Sequence, residues 1–434
     1  MSESSMWSRV IGLPLHWQIV AALVLAALVA WPSTPETTIF GASLVGILDF
    51  FGGLFINALK MVVVPLILSS IIVGVGNMVS GGAFGRVGGK TVGFYVMTGF
   101  FAIFTGLVLV NVVAPGETES AQAMRNALPD ATGVMASVEG RGVADLIGVI
   151  SRAVPSNILE AAVETQLLAL IFVGVVFGYF LSKLTGPGGD TLRNFWEGVH
   201  DVMIMITMWV MRFAPIGVFA LVGKTFIVSG FGVIGALLLF FLTVLAALAI
   251  HFFGWLPLLL RLLGGLRPYA YYGKILPAQL TAFSTASSSA TLPISMKSAQ
   301  DAGVSRRVTS FVLPLGATVN MDGTALYECV VVIFIAQVLG VDLNFMQQLM
   351  IVILALLTSI GVAGIPSASL VAIALILPAV GLPAEAIAIV LAVDRVLDMC
   401  RTAVNVTGDL SVTALVANGE GEDLPFGRAR LAAA

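Results

Sequence analysis

Long apolar stretches, separated by short polar ones, follow one another along the first part of the chain. A helix that crosses about 30 Å of hydrocarbon needs roughly 20 apolar residues. Most of the stretches reach about that length, and the second and fifth are overlong, which is typical of tilted helices. The pattern therefore predicts membrane-spanning helices near residues 15–31, 43–79, 90–114, 165–183, 195–227 and 230–263.

The composition agrees with a membrane protein. Of the 434 residues, 58% are apolar and only 10% are charged, and the mean hydropathy is +1.03. Soluble domains are about a quarter charged, so this chain has too few charges to cover a water-exposed surface. Cys329 and Cys400 have no disulfide or metal-ligand spacing. We interpret the scattered His16, His200 and His251 as packed or interfacial residues rather than ligands.

The positions of Lys and Arg predict the orientation. The first apolar run, about 19–31, lacks a small-residue cleavage site, so we expect a retained helix rather than a signal peptide. Residues 115–164 form the one long polar insertion and predict an external loop with some short helix. If the N-terminus is inside, nearly all Lys and Arg residues outside this long loop fall on the inner side. Both termini are therefore expected in the cytoplasm.

Two apolar segments in the second half are interrupted near their middle. TAFSTASSSATLPISM (281–296) interrupts the first, and LLTSIGVAGIPSASLVAI (356–373) interrupts the second. Backbone groups freed by such a break cannot face lipid, so they are buried or line a wet cavity. A matching pair of interrupted segments is typical of transporters with inverted repeats. We expect two helical hairpins whose tips meet near the membrane midplane, with two ordinary kinked helices as the alternative.

The last apolar segment, 388–417, carries several charges. At about 100° per residue its polar residues share an arc of roughly 100°. Each charge at the bilayer centre costs about 2.5–3.5 kcal/mol, so the polar face requires a cavity or ligands. A self-satisfied Asp–Arg network, to which Arg395 would contribute, is the structural alternative. The face comprises Asp394, Asp398, Arg401, Thr402, Asn405 and Asp409.

The preceding segment is interrupted at LPLGATVNMDGTALYE (313–328). Asn320, Asp322 and Gly323 break the apolar run there, and Gly favours local unwinding. Unwound carbonyls beside a carboxylate suit a hard monovalent cation. Met321 is equally well read as core filler or as a carbonyl ligand.

These motifs resemble those of the dicarboxylate/amino acid:cation symporters, the glutamate transporter family. The resemblance rests on MVVVPLILSSIIVGV (61–75), SSSATLP (287–293), NMDGT (320–324), GVAGIPSAS (361–369) and DMCRTAVNVTGD (398–409), in order across nearly the whole chain. It implies an all-α polytopic fold with eight transmembrane helices, two re-entrant helical hairpins and inverted repeats, working as an elevator-type transporter. It also implies a homotrimer in the cell (inner) membrane, in contact with lipid and with no nucleic-acid partner.

The resemblance further implies a domain division. Residues 1–84 would form scaffold helices 1 and 2, 85–114 the transport-domain helix 3, and 115–229 the external loop with scaffold helices 4 and 5. Residues 230–434 would complete the transport domain. That part would hold helix 6, hairpin 1 (about 274–304), helix 7 (about 308–339), hairpin 2 (about 345–380) and helix 8 (about 384–418).

Site roles follow from the same resemblance. Arg401 would hold the substrate side-chain carboxylate in a bidentate fork, for which lysine is a poor substitute. Asp398, assisted by Thr402, would take the α-amino group. The α-carboxylate and the remaining substrate contacts would fall to Asn405, Ser288, Ser289, Thr324 and Gly364.

Three sodium sites and one proton carrier are implied as well. The first site would use Asp409 with Gly316, Asn320 and Asn405; the second Thr318 with Ser359, Ile360 and Val362; the third Asp322, Asn320, Tyr95 and Thr98. Gly99 stands where sodium-coupled relatives carry a hydroxyl, which puts the third site in doubt. Glu328 resembles the proton carrier of proton-cotransporting relatives, with a neutral structural glutamate as the alternative.

We therefore expect a secondary active symporter of glutamate or aspartate that works by alternating access. Sodium is the expected coupling ion, a proton is left open as a second, and no other cofactor is expected. A proton-coupled C4-dicarboxylate transporter on the same fold is the closest alternative, although Asp398 would then face a like-charged substrate. An intramembrane aspartyl enzyme and a passive channel remain as other classes. Against the enzyme, Arg401 would keep the neighbouring carboxylates charged.

Overall fold

The computed structural model describes residues 15–80, 86–125, 154–163, 167–359 and 368–427, and its regular structure is almost entirely helical. A short antiparallel ribbon, β1 (Thr38–Ile39) with β2 (Ala42–Ser43), pairs Thr38 with Ser43. The α-helices in chain order are α1 (Leu15–Ala30), α2 (Leu44–Ser80), α3 (Arg86–Val113), α4 (Glu119–Arg125), α5 (Ile158–Val163), α6 (Leu167–Lys183), α7 (Pro187–Met211), α8 (Ala214–Ser229), α9 (Val233–Ile250), α10 (Leu256–Gly264), α11 (Pro268–Thr285), α12 (Ser288–Asp301), α13 (Arg306–Val319), α14 (Asp322–Leu339), α15 (Phe345–Ser359), α16 (Ala368–Ala379) and α17 (Leu391–Gly419).

Several helices have the length and apolar character that a membrane span needs. In the described part of the chain these are Arg86–Glu117, Val233–Gly264 and Arg306–Leu339. Pro187–Met211 and Ala214–Val228 together form a fourth, bent candidate. Shorter apolar helices accompany them, among them α1, α6 and α15. The predicted all-helical, membrane-spanning character is confirmed at this level.

The prediction of one long tilted helix over 195–227 is wrong. The chain bends by 51° between α7 and α8. Pro215 lies in the first turn of α8. Proline has no N–H, and its ring clashes with the preceding turn, so it is tolerated at a helix start and ends the helix before it.

The helix over Val233–Gly264 contains one turn of π-helix, His251–Trp255, between α9 and α10. Such π-bulges insert an extra residue into the helix and are frequent at functional sites. The turn is stabilised by Trp255, whose ring stacks on Phe101 at 4.3 Å and whose Nε1 donates to Thr105 Oγ1 at 2.9 Å. His251, at the start of the turn, is completely buried.

Breaks occur in the second half where the polar interruptions predict them. Ala286, in the left-handed region with φ 51°, separates α11 from α12. Asn320 and Met321, both non-helical, separate α13 from α14. Helices α15 and α16 flank residues 360–367, which lie outside the described part of the chain. Ile360, Val362 and Gly364 are among these residues.

The described helices pack as two groups. Helices α1, α2, α6, α7 and α8 contact mainly one another, and α3 packs with α9–α17 in the second group. Helix α14 is the centre of the second group, since nearly all of its residues are buried. Phe334 of α14 stacks on Phe240 of α9 at 4.5 Å. A helix that is apolar all round is expected to be surrounded by other helices.

Acidic residues that follow α17 connect helices of the second group to one another at one end. Glu420 accepts hydrogen bonds from Arg86 (3.0 and 3.1 Å) and from Lys90 (2.8 Å), both on α3. Lys90 also donates to the carbonyl of Gly419. Glu422 accepts from the backbone N–H of Ser305, just before α13, at 2.9 Å. The chain end therefore fixes α3, α13 and α17 to one another.

Candidate functional site

The polar face of α17 is turned into the protein. Asp394, Asp398 and Arg401 are each at most 6% exposed. The helix contacts both arms of the first broken segment, α11 and α12, as well as α13 and α14. Helix α17 thus packs beside the broken helices, with these charges buried.

Four charges on α17 form a connected network. Arg401 Nη2 donates to Asp394 Oδ1 at 3.1 Å and to Asp398 Oδ1 at 3.0 Å. Arg395 Nη1 donates to Asp398 Oδ2 at 3.1 Å. Two carboxylates and two guanidinium groups balance in formal charge, which is what makes their burial tolerable.

Arg401 retains unused hydrogen-bonding capacity. Its guanidinium lies 3.8 Å from the ring centroid of Tyr327 on α14, in cation–π contact. Among the described residues, its Nε and Nη1 atoms have no hydrogen-bond partner, although the side chain is fully buried. Buried donors of this kind are costly to leave unpaired. An incoming carboxylate could accept a hydrogen bond from either atom, since the two N–H groups point in different directions.

Asn405 caps the start of α14. Its Oδ1 accepts from the backbone N–H of Gly323 at 2.8 Å and of Thr324 at 3.3 Å. Its Nδ2 donates to Thr324 Oγ1 at 3.1 Å. A Cβ on Gly323 would lie 2.8 Å from the carbonyl oxygen of Arg401, so glycine is needed for this close approach of α14 to α17.

An oxygen-rich cluster lies next to this cap. Asn320 Nδ2 donates to Asp409 Oδ1 at 3.0 Å. A Cβ on Gly316 would lie 2.5 Å from the same oxygen and 2.6 Å from the Tyr95 hydroxyl, which shows how closely these groups approach. Tyr95 donates to the carbonyl of Val312 at 2.7 Å. Carboxylate, amide and carbonyl oxygens are the donors that hard cations prefer.

Asp322 is the second carboxylate of the cluster and is fully buried. Its Oδ1 accepts from Thr98 Oγ1 at 3.1 Å, and its Oδ2 lies 3.2 Å from Nε2 of His251. A Cβ on Gly99 would be 3.6 Å from Asp322 Oδ1. A hydroxyl at position 99 would therefore reach this carboxylate, and glycine leaves that contact unmade. In the described part of the chain, no three His, Cys, Asp or Glu side chains are grouped to hold a metal ion.

The remaining residues that the sequence singles out are placed as follows. Ser288, buried, and Ser289, exposed, begin α12, whose N-terminus is capped by Ser287 accepting from the Ala290 N–H at 3.1 Å. Thr402 donates to the carbonyl of Asp398 at 2.8 Å. The hydroxyls of Thr318 and Ser359 each donate to a carbonyl of their own helix, at 3.1 and 2.8 Å.

Glu328 lies on α14, one residue after Tyr327. It is completely buried, and its Oε2 accepts from Thr358 Oγ1 of α15 at 2.6 Å. No described residue is hydrogen-bonded to its Oε1. A carboxyl with one satisfied and one open oxygen can carry a proton on the open side.

The contact between His251 and Asp322 is not indicated by the sequence. From the sequence it is a packed or interfacial residue, and it is indeed buried, but its ring contacts Asp322 across 71 positions of chain. The only sequence signal is a histidine in the middle of an apolar run. Its placement depends on the π-helical turn, which no simple residue pattern marks.

Comparison with known proteins identifies the family. The model of the sodium:dicarboxylate symporter family matches residues 15–418. The chain belongs to that family. The match includes α1 and α17 and nearly everything between them, so the site described above lies entirely within the family region.

Individual family members are similar over almost their whole length. The proton/glutamate-aspartate symporter of Escherichia coli K12 is 34% identical over 409 residues, which is 94% of this chain and 93% of that protein. The proton/sodium-glutamate symport protein of Geobacillus stearothermophilus is 33% identical over 419 residues, covering 94% and 95%. Mouse excitatory amino acid transporter 3 is 34% identical over 459 residues, covering 92% and 85%.

Proposed function

We propose that this member of the sodium:dicarboxylate symporter family is a secondary active symporter of glutamate or aspartate. The names of its relatives support acidic amino acid transport, with protons or with protons and sodium as the coupling ions. Family membership also favours a transporter over the intramembrane enzyme. The observation that carries the proposal is Arg401, buried with two donor atoms that have no partner among the described residues.

In this proposal each part of the substrate has its own contacts. The side-chain carboxylate binds Arg401 through Nε or Nη1. The α-amino group binds Asp398, one turn away on the same helix, and Thr402 supports it. The α-carboxylate binds near Ser288, Ser289 and the capping amide Asn405, together with Thr324 and Gly364. The N-terminus of α12 contributes partial positive charge there.

Cations bind at the adjacent oxygen cluster. Asp409, Asn320 and the carbonyl of Gly316 form the first site, and Asp322 with Tyr95 and Thr98 forms the third. Thr318, with carbonyls of residues 359–362, forms the second. Because the substrate is anionic and the site already holds several carboxylates, bound cations are needed to offset the added negative charge. Glu328 carries a proton where protons are co-transported.

The two packing groups support a moving transport domain. Residues 85–114 and 230–434 would move as a unit against a scaffold of 1–84 and 115–229, because most described contacts of the long helices lie within each group. The short helix α4, in the external loop, contacts α9 and α14 of the moving unit. Eight transmembrane helices, two re-entrant hairpins, a homotrimer in the cell membrane and cytoplasmic termini complete the proposal. Hairpin closure would be favoured only by the loaded site, since a ligand shifts conformations by differential affinity.

Uptake into proteoliposomes tests this function. Radiolabelled aspartate is offered with a sodium gradient alone, a pH gradient alone, both, or neither. We expect accumulation above equilibrium with at least one gradient and none without a gradient. Equal flux in all four conditions would indicate a passive channel, and uptake of succinate in preference to aspartate would favour the C4-dicarboxylate carrier.

A further inference from the structure

Arg395 is a buried arginine that the proposed substrate contacts do not use. It lies on α17 and is 7% exposed, whereas the next residue, Val396, is 44% exposed. Its Nη1 donates to Asp398 Oδ2 at 3.1 Å. Among the described residues, its Nε has no hydrogen-bond partner. A buried arginine with so few bonds is costly to keep for stability alone.

The position of Arg395 determines the charge that a substrate meets at Asp398. One oxygen of Asp398 accepts from Arg401 at 3.0 Å and the other from Arg395 at 3.1 Å. Arg401 is also shared with Asp394 at 3.1 Å. With Arg395 present the network is neutral in formal charge; without it, the network would carry one uncompensated carboxylate next to the substrate.

We propose that Arg395 is a specificity-determining residue that lets the site accept C4 dicarboxylates lacking an amino group. The inference rests on the proposed function, which assigns Asp398 to the amino group of the substrate. Aspartate brings an ammonium group that can pair with Asp398. Succinate brings none, so it tolerates Asp398 only while Arg395 neutralises that carboxylate.

Two effects of Arg395 act in the same direction. Succinate carries two negative charges and aspartate a net charge of one, so a nearby cation attracts succinate more strongly. Arg395 also occupies the oxygen of Asp398 that the ammonium group of aspartate would otherwise share. Removal of its charge should therefore weaken succinate binding and leave aspartate binding equal or tighter.

The test compares two ligands on the purified full-length protein. Radiolabelled aspartate is displaced by unlabelled aspartate and by succinate, and the ratio of the two inhibition constants is measured. For Arg395→Met we expect this ratio to shift toward aspartate on the order of tenfold, the range expected for one close charge interaction. Arg395→Lys, which keeps the charge, should stay near the wild-type ratio. Arg395→Gln provides the same comparison if the Met variant does not fold.

Lys297→Met is the matched control, because it removes a cation from an exposed ion pair with Asp301. Its ratio should equal that of wild type. A ratio that is unchanged or shifted toward succinate in Arg395→Met and Arg395→Gln would overturn the inference while leaving aspartate transport intact. A wild-type protein that binds no aspartate would contradict the proposed function itself, and the inference with it.

Discussion

Replacement of Arg401 by lysine tests the proposed substrate contact while keeping the positive charge. Arg401 is bonded to Asp394 and Asp398 through Nη2, and its Nε and Nη1 have no partner in the described structure. A lysine ammonium has three donors and no planar fork. Two of those donors are needed for the two aspartates, and the third is not held in the direction in which the guanidinium presents Nε or Nη1 to the substrate carboxylate.

The expected magnitude follows from the lost hydrogen bond to Nε or Nη1. A hydrogen bond to a charged group contributes about 1.5–3 kcal/mol. Its loss should therefore raise the Kd by roughly 10- to 100-fold. Removal of the charge altogether would instead leave the buried network with two carboxylates and one guanidinium group, and instability would then mix with the loss of binding.

Calorimetric titration with L-aspartate at saturating sodium measures the change. Arg193→Lys is the matched control, since Arg193 bonds Asp190 and the carbonyls of Leu181 and Leu184 at the C-terminal end of α6, outside the site. It should bind aspartate like wild type. If Arg401→Lys is folded, with an unchanged Tm, and binds aspartate within threefold of wild type, the assignment of Arg401 is wrong.

Three further substitutions test other parts of the account. Glu328→Gln should abolish the pH dependence of uptake but permit exchange, because glutamine cannot carry the proton; a pH profile like that of wild type would count against this role. Gly316→Ala places a Cβ 2.5 Å from Asp409 Oδ1, and overpacking of about 1–3 kcal/mol should raise the sodium concentration for half-maximal aspartate binding. Gly273→Ala, with open space around it, is its control and should leave the sodium titration unchanged; equal titrations for both variants would refute the crowding argument. Glu420 has a pKa lowered to about 2 by hydrogen bonds from two basic side chains of α3, so its stabilisation is present above pH 4.5 and is lost as the pH falls toward 2. The Tm difference between wild type and Glu420→Gln should therefore shrink between pH 7 and pH 3, and a constant difference would contradict the assignment.

The breaks in the helices could be predicted because they leave a local chemical signal. A run of small polar residues at 287–289 and the NMDG sequence at 320–323 both interrupt apolar stretches, and the chain leaves the helical conformation at Ala286 and at Asn320. The polar face of the last helix follows from the same logic. Its spacing at roughly 100° per residue requires that the charges share one side of the helix.

Other features of the structure depend on tertiary packing. The bend between α7 and α8 is an exception, because Pro215 marks it in the sequence, although the surrounding apolar run conceals that signal. The contact of His251 with Asp322 requires a π-helical turn in one helix and an unwound start in another. The stacking of Arg401 on Tyr327 likewise depends on how α14 and α17 face each other. No spacing within a single segment contains that information.

In the proposed function, buried charges on α17 bind an acidic amino acid next to the oxygen-rich cluster that binds cations. Equilibrium binding of L-aspartate to the purified protein, measured over a range of sodium concentrations with serine and succinate for comparison, tests it most directly. We predict that sodium tightens aspartate binding, that serine does not compete and that succinate competes less well than aspartate. If the protein does not bind aspartate, or if serine competes as well as aspartate, the proposed function is contradicted.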